Sequence, residues 1–315
     1  MTLGHIGRTL FATGVILSAA PAASAQVARS DCFPLERVAP ALRSRAEALL
    51  LETMDGTALY TVAGLKPMTS GFLGPDHAIA FEAAALRPDA PLARRIDELR
   101  QMFTVLQCGD DIRSAVVTDI LSVAGARGAI ETYIFHMPAF RGVIAALPDY
   151  FAPLAITPHA SPETVLFTMN RQQASAPRGN PEARRDWARA NHVEIGDRTR
   201  ATGLLFGYPK PAVESFAAMT VKAIRGELPP EQGAIGALAM RIPNFRGDEV
   251  WYRKPAAEDS AEDTAMRARA AQILAEYRTR RERYIGGGKP GIVALLRDWF
   301  CNGDTGCAAA NATVK

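Results

Sequence analysis

Apolar side chains recur every three to four positions over residues 35 to 54, where Leu35, Val38, Leu42, Leu49 and Leu50 alternate with Arg and Glu. That period predicts an amphipathic helix. Residues 91 to 106 repeat the pattern with Leu92, Ile96, Leu99, Phe103 and Leu106 on one face, and Pro91 takes a first-turn position where its missing N–H is no loss. The period then shortens to two. Ile112 to Leu121 and Ala129 to Met137, separated by Ser-Val-Ala-Gly-Ala-Arg-Gly, predict a β-hairpin. Its second strand should carry Ile130, Thr132, Ile134 and His136 on one face and Glu131, Tyr133, Phe135 and Met137 on the other.

Helical patterns return downstream. Phe140 to Phe151 reads as a short helix, Ser161-Pro162-Glu163 as a capped helix start running to about Gln173, and Pro181 to Asn191 as a further helix. Ile235 to Ile242 and Glu249 to Arg253 flank Pro-Asn-Phe-Arg-Gly-Asp and predict a second hairpin. A long helix over Ala261 to Ile285, with Met266, Ile273, Leu274, Tyr277 and Tyr284 as its apolar stripe, ends at Gly286-Gly-Gly-Lys-Pro-Gly291, and Ile292 to Phe300 forms a last helix. Paired strands among helices predict an α+β fold: a mixed or mostly antiparallel sheet built from hairpins and covered by amphipathic helices.

Two stretches fit neither period well. Thr57 to Ala63 is rich in β-branched and aromatic residues after Asp55-Gly56 and reads as a strand, and Gly64 to His77 reads as irregular chain because three glycines and two prolines punctuate it. In Gly203-Leu-Leu-Phe-Gly-Tyr-Pro-Lys-Pro-Ala-Val-Glu-Ser-Phe216 an apolar run with two glycines passes through a double-proline hinge into a helix. Glycines beside an apolar run signal close packing.

The N-terminus changes the picture of where the chain goes. His5 and Arg8 precede an apolar core from Leu10 to Ala20, and Ala23-Ser24-Ala25 matches a small-residue cleavage site before Gln26. We therefore expect residues 1–25 to be a signal peptide and 26–315 a single domain, with a weak subdivision near 174–181, exported to the periplasm or secreted, soluble, and without a transmembrane segment once processed. Cleavage removes Arg8 and lowers the net charge from +3 by one, a balance that argues against nucleic acid as a partner. Four cysteines in an oxidising compartment should pair, and they allow three connectivities. The polar, turn-rich spacer between Cys301 and Cys307 favours that pair, which leaves Cys32 with Cys108.

Candidate chemistry is sparse. The chain has no Gly-x-Ser-x-Gly elbow, no Ser-x-x-Lys pair and no His-Glu-x-x-His pair, and Pro290 follows Lys289 where a phosphate loop needs a hydroxyl. Neither a C-x-x-C pair nor a histidine cluster suggests a metal, and no cofactor motif is present. Four reactive side chains remain as candidates. Lys66 and Ser70 are four apart in the Gly/Pro-rich stretch, where a lysine desolvated by Leu65, Met68 and Phe72 would act as a base toward the serine. His77, beside Asp76, fits an oriented general base, and His136 closes a strand. His159 and His192 read as loop residues. The expectation is an exported protein that binds or processes a small molecule, peptide or glycan in the cell envelope through a pocket at residues 64–77. The alternative is a non-catalytic interaction module that docks an envelope protein through its helices and the Gly203 to Phe216 stretch.

Overall fold

The computed structural model describes residues 32–56, 58–70, 80–82, 90–121, 127–175, 177, 180–227 and 238–301. The expected signal peptide, His77 and Cys307 lie outside these residues. The architecture is α+β. Strand β4 (Arg127–His136) is its axis. It pairs antiparallel along its whole length with β3 (Ile112–Leu121), the expected hairpin. Its other edge carries two short strands in line, β1 (Met68–Ser70) opposite Phe135 to Tyr133 and β2 (Ala80–Glu82) opposite Ala129 to Arg127. A separate antiparallel ribbon joins β5 (Ala239–Pro243) to β6 (Asp248–Arg253), the second expected hairpin.

The sheet separates two cores, as the alternation along β4 anticipates. Ile134 and Ile112 belong to the larger core with α1 (Arg43–Asp55), α2 (Ala58–Val62), α3 (Ala90–Phe103), α10 (Ala261–Tyr284), α11 (Ile292–Cys301) and the β5/β6 ribbon. Tyr133, Phe135 and Met137 belong to the smaller core with β1 and α4 (Met137–Ala146), α5 (Pro148–Phe151), α6 (Pro162–Ser175), α8 (His192–Leu205) and α9 (Lys210–Arg225). The remaining helix, α7 (Pro181–Ala190), is capped by the Asn180 side chain, which accepts from the N–H groups of Glu182 and Ala183. From Tyr133 to Phe135, where β4 is buried on both faces, all three side chains are apolar or aromatic.

The larger core is tied at its periphery by polar contacts. Cys32 and Cys108 form a disulfide. The Arg297 guanidinium on α11 donates to the carbonyls of Cys32 (2.9 Å) and Phe33 (3.0 Å), and the rings of Phe33 and Phe300 lie 5.4 Å apart. Asp55, at the end of α1, accepts from Tyr277 (2.8 Å) and from two nitrogens of Arg281 (2.9 and 3.1 Å) on α10. Tyr252 donates to Asp263 at the start of α10, whose capping box with Ser260 fixes the turn out of β6.

Three expectations are corrected. Thr57 to Ala63 does not form a strand: Ala58–Val62 is helical, with all five side chains buried. A short helix buried all round has no polar face, so it shows no 3.6 period and resembles a core strand. Residues 68–70, expected as irregular, pair with β4. His192 is not in a loop but opens α8, a helix hidden in the sequence because Gly196 and Gly203 dilute its signal. Those glycines are where α9 crosses α8: a Cβ on Gly203 would lie 2.9 Å from Val213 Cγ2, the close packing expected of that apolar run.

Candidate functional site

The two sequence stretches without clear periodicity meet at Lys66. Helix α2 ends in a Schellman motif in which Gly64, at φ +79°, donates its N–H to Thr61 O and Leu65 donates to Tyr60 O. The Lys66 N–H also donates to Tyr60 O (3.1 Å), so the chain reverses over one turn and turns the lysine side chain back into the protein. From the other side Gly207, at φ +76° in the α8–α9 turn, approaches so closely that a Cβ there would lie 3.1 Å from Pro67 Cδ and 3.4 Å from Lys66 Cα.

Lys66 is 4% exposed. Its Nζ lies 4.7 Å from the centroid of the Trp251 ring, 5.9 Å from Phe206 and 6.0 Å from Tyr208. Among the described residues no carboxylate or other oxygen hydrogen-bonds to it. The rings form one connected group: Phe206 stacks near Tyr208 (5.9 Å), Tyr208 leans on Tyr252 (5.4 Å), and Tyr60 meets Trp251 edge-on (5.1 Å). Tyr60 itself is tethered by its hydroxyl, which donates to Pro243 O on β5. Trp251 is 4% exposed, and its Nε1–H has no acceptor among the described residues. Two buried donors, an ammonium and an indole N–H, thus share one aromatic enclosure.

Burial dominates the electrostatics. Removing an ammonium from water costs several kcal/mol, while a well-placed ring returns about 0.5–2 kcal/mol, and two of these rings sit at the outer limit of that attraction. The Lys66 amine is accordingly pulled down to about 8, against an opposing pull from Glu249. Glu249 shares the Trp251 face of β6 but is engaged elsewhere: it accepts from Asn244 Nδ2 (3.0 Å), whose Oδ1 in turn closes the β5–β6 turn by accepting from the N–H groups of Arg246 and Gly247. Burial, then Glu249, pushes the Tyr208 phenol up to about 12, so it stays protonated at neutral pH.

His136 flanks the same turn. Its N–H donates to Pro67 O (2.9 Å), and its ring packs on Gly64, where a Cβ would lie 3.1 Å from Nε2. As the N-cap of α4, it accepts at Nδ1 from the Ala139 N–H (3.2 Å), and burial lowers its basicity against the opposing charge of Asp111. Ser70 does not join this group. It lies opposite Tyr133 on β4, so its side chain faces the smaller core while His136 shares the Ile134 face, and the two are three register positions, about 10 Å, apart. Lys66 and His136 therefore meet at one turn and Ser70 points away from it. What desolvates Lys66 is the aromatic trio from α8–α9 and β6, residues whose distance in sequence hid them. The signal that would have found them is the spacing Phe206-Gly207-Tyr208: two rings around a glycine next to a proline hinge.

Among the described residues no three His, Cys, Asp or Glu side chains gather as a metal set, and no helix is long and apolar enough to cross a membrane. No protein-family model, no curated protein and no solved structure matches the chain, so its chemistry is read from the enclosure alone. That enclosure holds one lysine amine and one indole N–H, both buried and both lacking an acceptor among the described residues.

Proposed function

We propose that this is an exported envelope protein that binds a small molecule carrying an acceptor oxygen, a carboxylate or a carbonyl, at Lys66. One observation carries the reading: the Lys66 ammonium and the Trp251 N–H are both buried, and among the described residues neither has an acceptor. A buried donor left unmade costs about 1–3 kcal/mol, more when charged, and a ligand oxygen removes that penalty on binding. Phe206 and Tyr208, with ring centroids 5.9 and 6.0 Å from the ammonium, are the aromatic surfaces that an apolar or aromatic ligand body would meet. Export is supported by the N-terminal pattern of residues 1–25 and suits the Cys32–Cys108 disulfide.

The reading is tested by thermal denaturation of residues 26–315 against benzoate, mandelate and glucuronate. A concentration-dependent rise in Tm that disappears in Lys66→Met is expected. No rise with any of the three, or an equal rise in Lys66→Met, would overturn it. The alternative, a partner-docking module, draws on exposed Phe216, Phe167 and Val193. Yet Phe206 and Tyr208, which open the candidate docking stretch, pack toward Lys66.

A further inference from the structure

Lysine is rare in this chain: only six of its 36 basic Lys and Arg residues are Lys. Wherever a cation is needed to hold the fold together, Arg usually supplies it, as at Asp55, Glu214, Glu98 and Asp298. Lys210, Lys222 and Lys289 are exposed. Lys254 is buried, but its ammonium donates to Asp259 (2.6 Å) and Ala257 O (2.7 Å). Among the described residues Lys66 is the buried lysine without an acceptor. The difference between the two side chains is chemical: an arginine cannot give up its proton in a protein, whereas a lysine in a desolvated, ring-lined site can, and its neutral amine is then a nucleophile.

We infer that Lys66 is a carbonyl-capturing amine, which forms an imine with a small aldehyde or 2-oxo acid in the enclosure of Trp251, Phe206 and Tyr208. The inference rests on the binding reading above and narrows its ligand to a carbonyl compound. The Nζ lone pair attacks the carbonyl carbon and forms the C–N bond. The amine loses its two protons as the carbonyl oxygen leaves as water, and one proton from solvent makes the resulting imine an iminium. No electrons are transferred. The faces of Trp251 and Tyr208 lie beside the reacting amine, and the acidic group whose charge acts on it is Glu249, held by Asn244.

The experiment compares phenylglyoxylate with mandelate, which has the same skeleton but an alcohol in place of the ketone. The protein is incubated with each in the presence of cyanoborohydride, which reduces an iminium to a stable amine, and adducts are mapped by chymotryptic peptide mass spectrometry. Phenylglyoxylate should modify Lys66 at least tenfold faster than Lys210, Lys222 or Lys289, and mandelate should modify nothing. Folding of a variant is not needed for this readout, because the exposed lysines of the same molecule are the control. Modification of Lys66 no faster than the exposed lysines, or none, overturns the inference. If mandelate still raises Tm through Lys66 while nothing is trapped, imine formation fails and the binding reading stands. If neither compound stabilises the protein and nothing is trapped, both fail.

Discussion

Gly207 and Lys66 belong to different halves of the chain, yet they approach until only a hydrogen fits at the glycine: a Cβ would stand 3.4 Å from Lys66 Cα and 3.1 Å from Pro67 Cδ. The atoms in the way are backbone and a proline ring, neither of which can rotate aside, and φ at Gly207 is +76°. A left-handed non-glycine residue costs about 1–2 kcal/mol before any contact is counted. Gly207→Ala should therefore lower stability by about 2 kcal/mol in urea denaturation, and an unchanged midpoint would show that the α8–α9 turn is not pressed on Lys66.

The buried lysine makes stability depend on pH in a direction opposite to that of a paired lysine. Its amine falls from the ordinary 10.5 to about 8. Below pH 8 both states hold the proton and the folded state bears the full penalty. Between about 8 and 10.5 only the unfolded chain holds it, so stability rises with pH through that window. Lys66→Met removes the penalty. At pH 7 the variant should be more stable than the parent by at most about 3 kcal/mol, and the gap should close as the pH passes from 8 to 10. A variant less stable at pH 7 would mean that the three rings, and not burial, set the charge of Lys66.

His136 titrates with the same sign at lower pH. Burial holds it below its usual 6.5, so the folded state prefers the neutral ring. Its contribution is present above pH 6.5 and is lost as acid protonates it, since the protonated ring can no longer accept the Ala139 N–H at Nδ1. His136→Asn keeps an N-cap acceptor and removes the titration, which should flatten the loss of stability between pH 7 and 5. His136→Ala should cost about 1 kcal/mol at pH 7 for the missing cap. Urea midpoints across that pH range separate the two.

Asp55 is the joint between α1 and α10. Asp55→Ala leaves the Tyr277 hydroxyl and the Arg281 guanidinium with no carboxylate, and removing one partner of a largely buried pair costs about 3 kcal/mol. A double-mutant cycle with Arg281→Ala should recover a coupling above 1 kcal/mol, and strict additivity would make the pair incidental.

The Cys32–Cys108 bond spans 76 residues. Closing a loop of that length in the unfolded chain is worth roughly 4 kcal/mol, so reduction, or the pair of changes Cys32→Ser and Cys108→Ser, should lower the urea midpoint accordingly.

Much of this fold is legible in the sequence wherever one face of an element meets solvent. The two hairpins, the long helix ending at Gly286 and the capped start of α6 all follow from periodicity and turn chemistry. Legibility fails where an element is buried all round or diluted by glycine: α2 resembles a strand, and α8 vanishes into its own packing glycines. Lys66 could be singled out as a lysine among apolar neighbours, but not its partners. Trp251 lies far downstream, and nothing local to Thr57–His77 announces that a ribbon from the other end of the chain will close over it.

The contact of Phe33 with Phe300, and of Arg297 with the carbonyls beside it, sets the order in which the molecule can be completed. The β3–β4 hairpin pairs neighbours in sequence and can form early, whereas the larger core draws on residues more than 250 positions apart. That core stays open until α11 has been synthesised. During synthesis the apolar faces of α1 and α3 must wait for α11, so they stay without their distant partner for most of the time the chain takes to emerge.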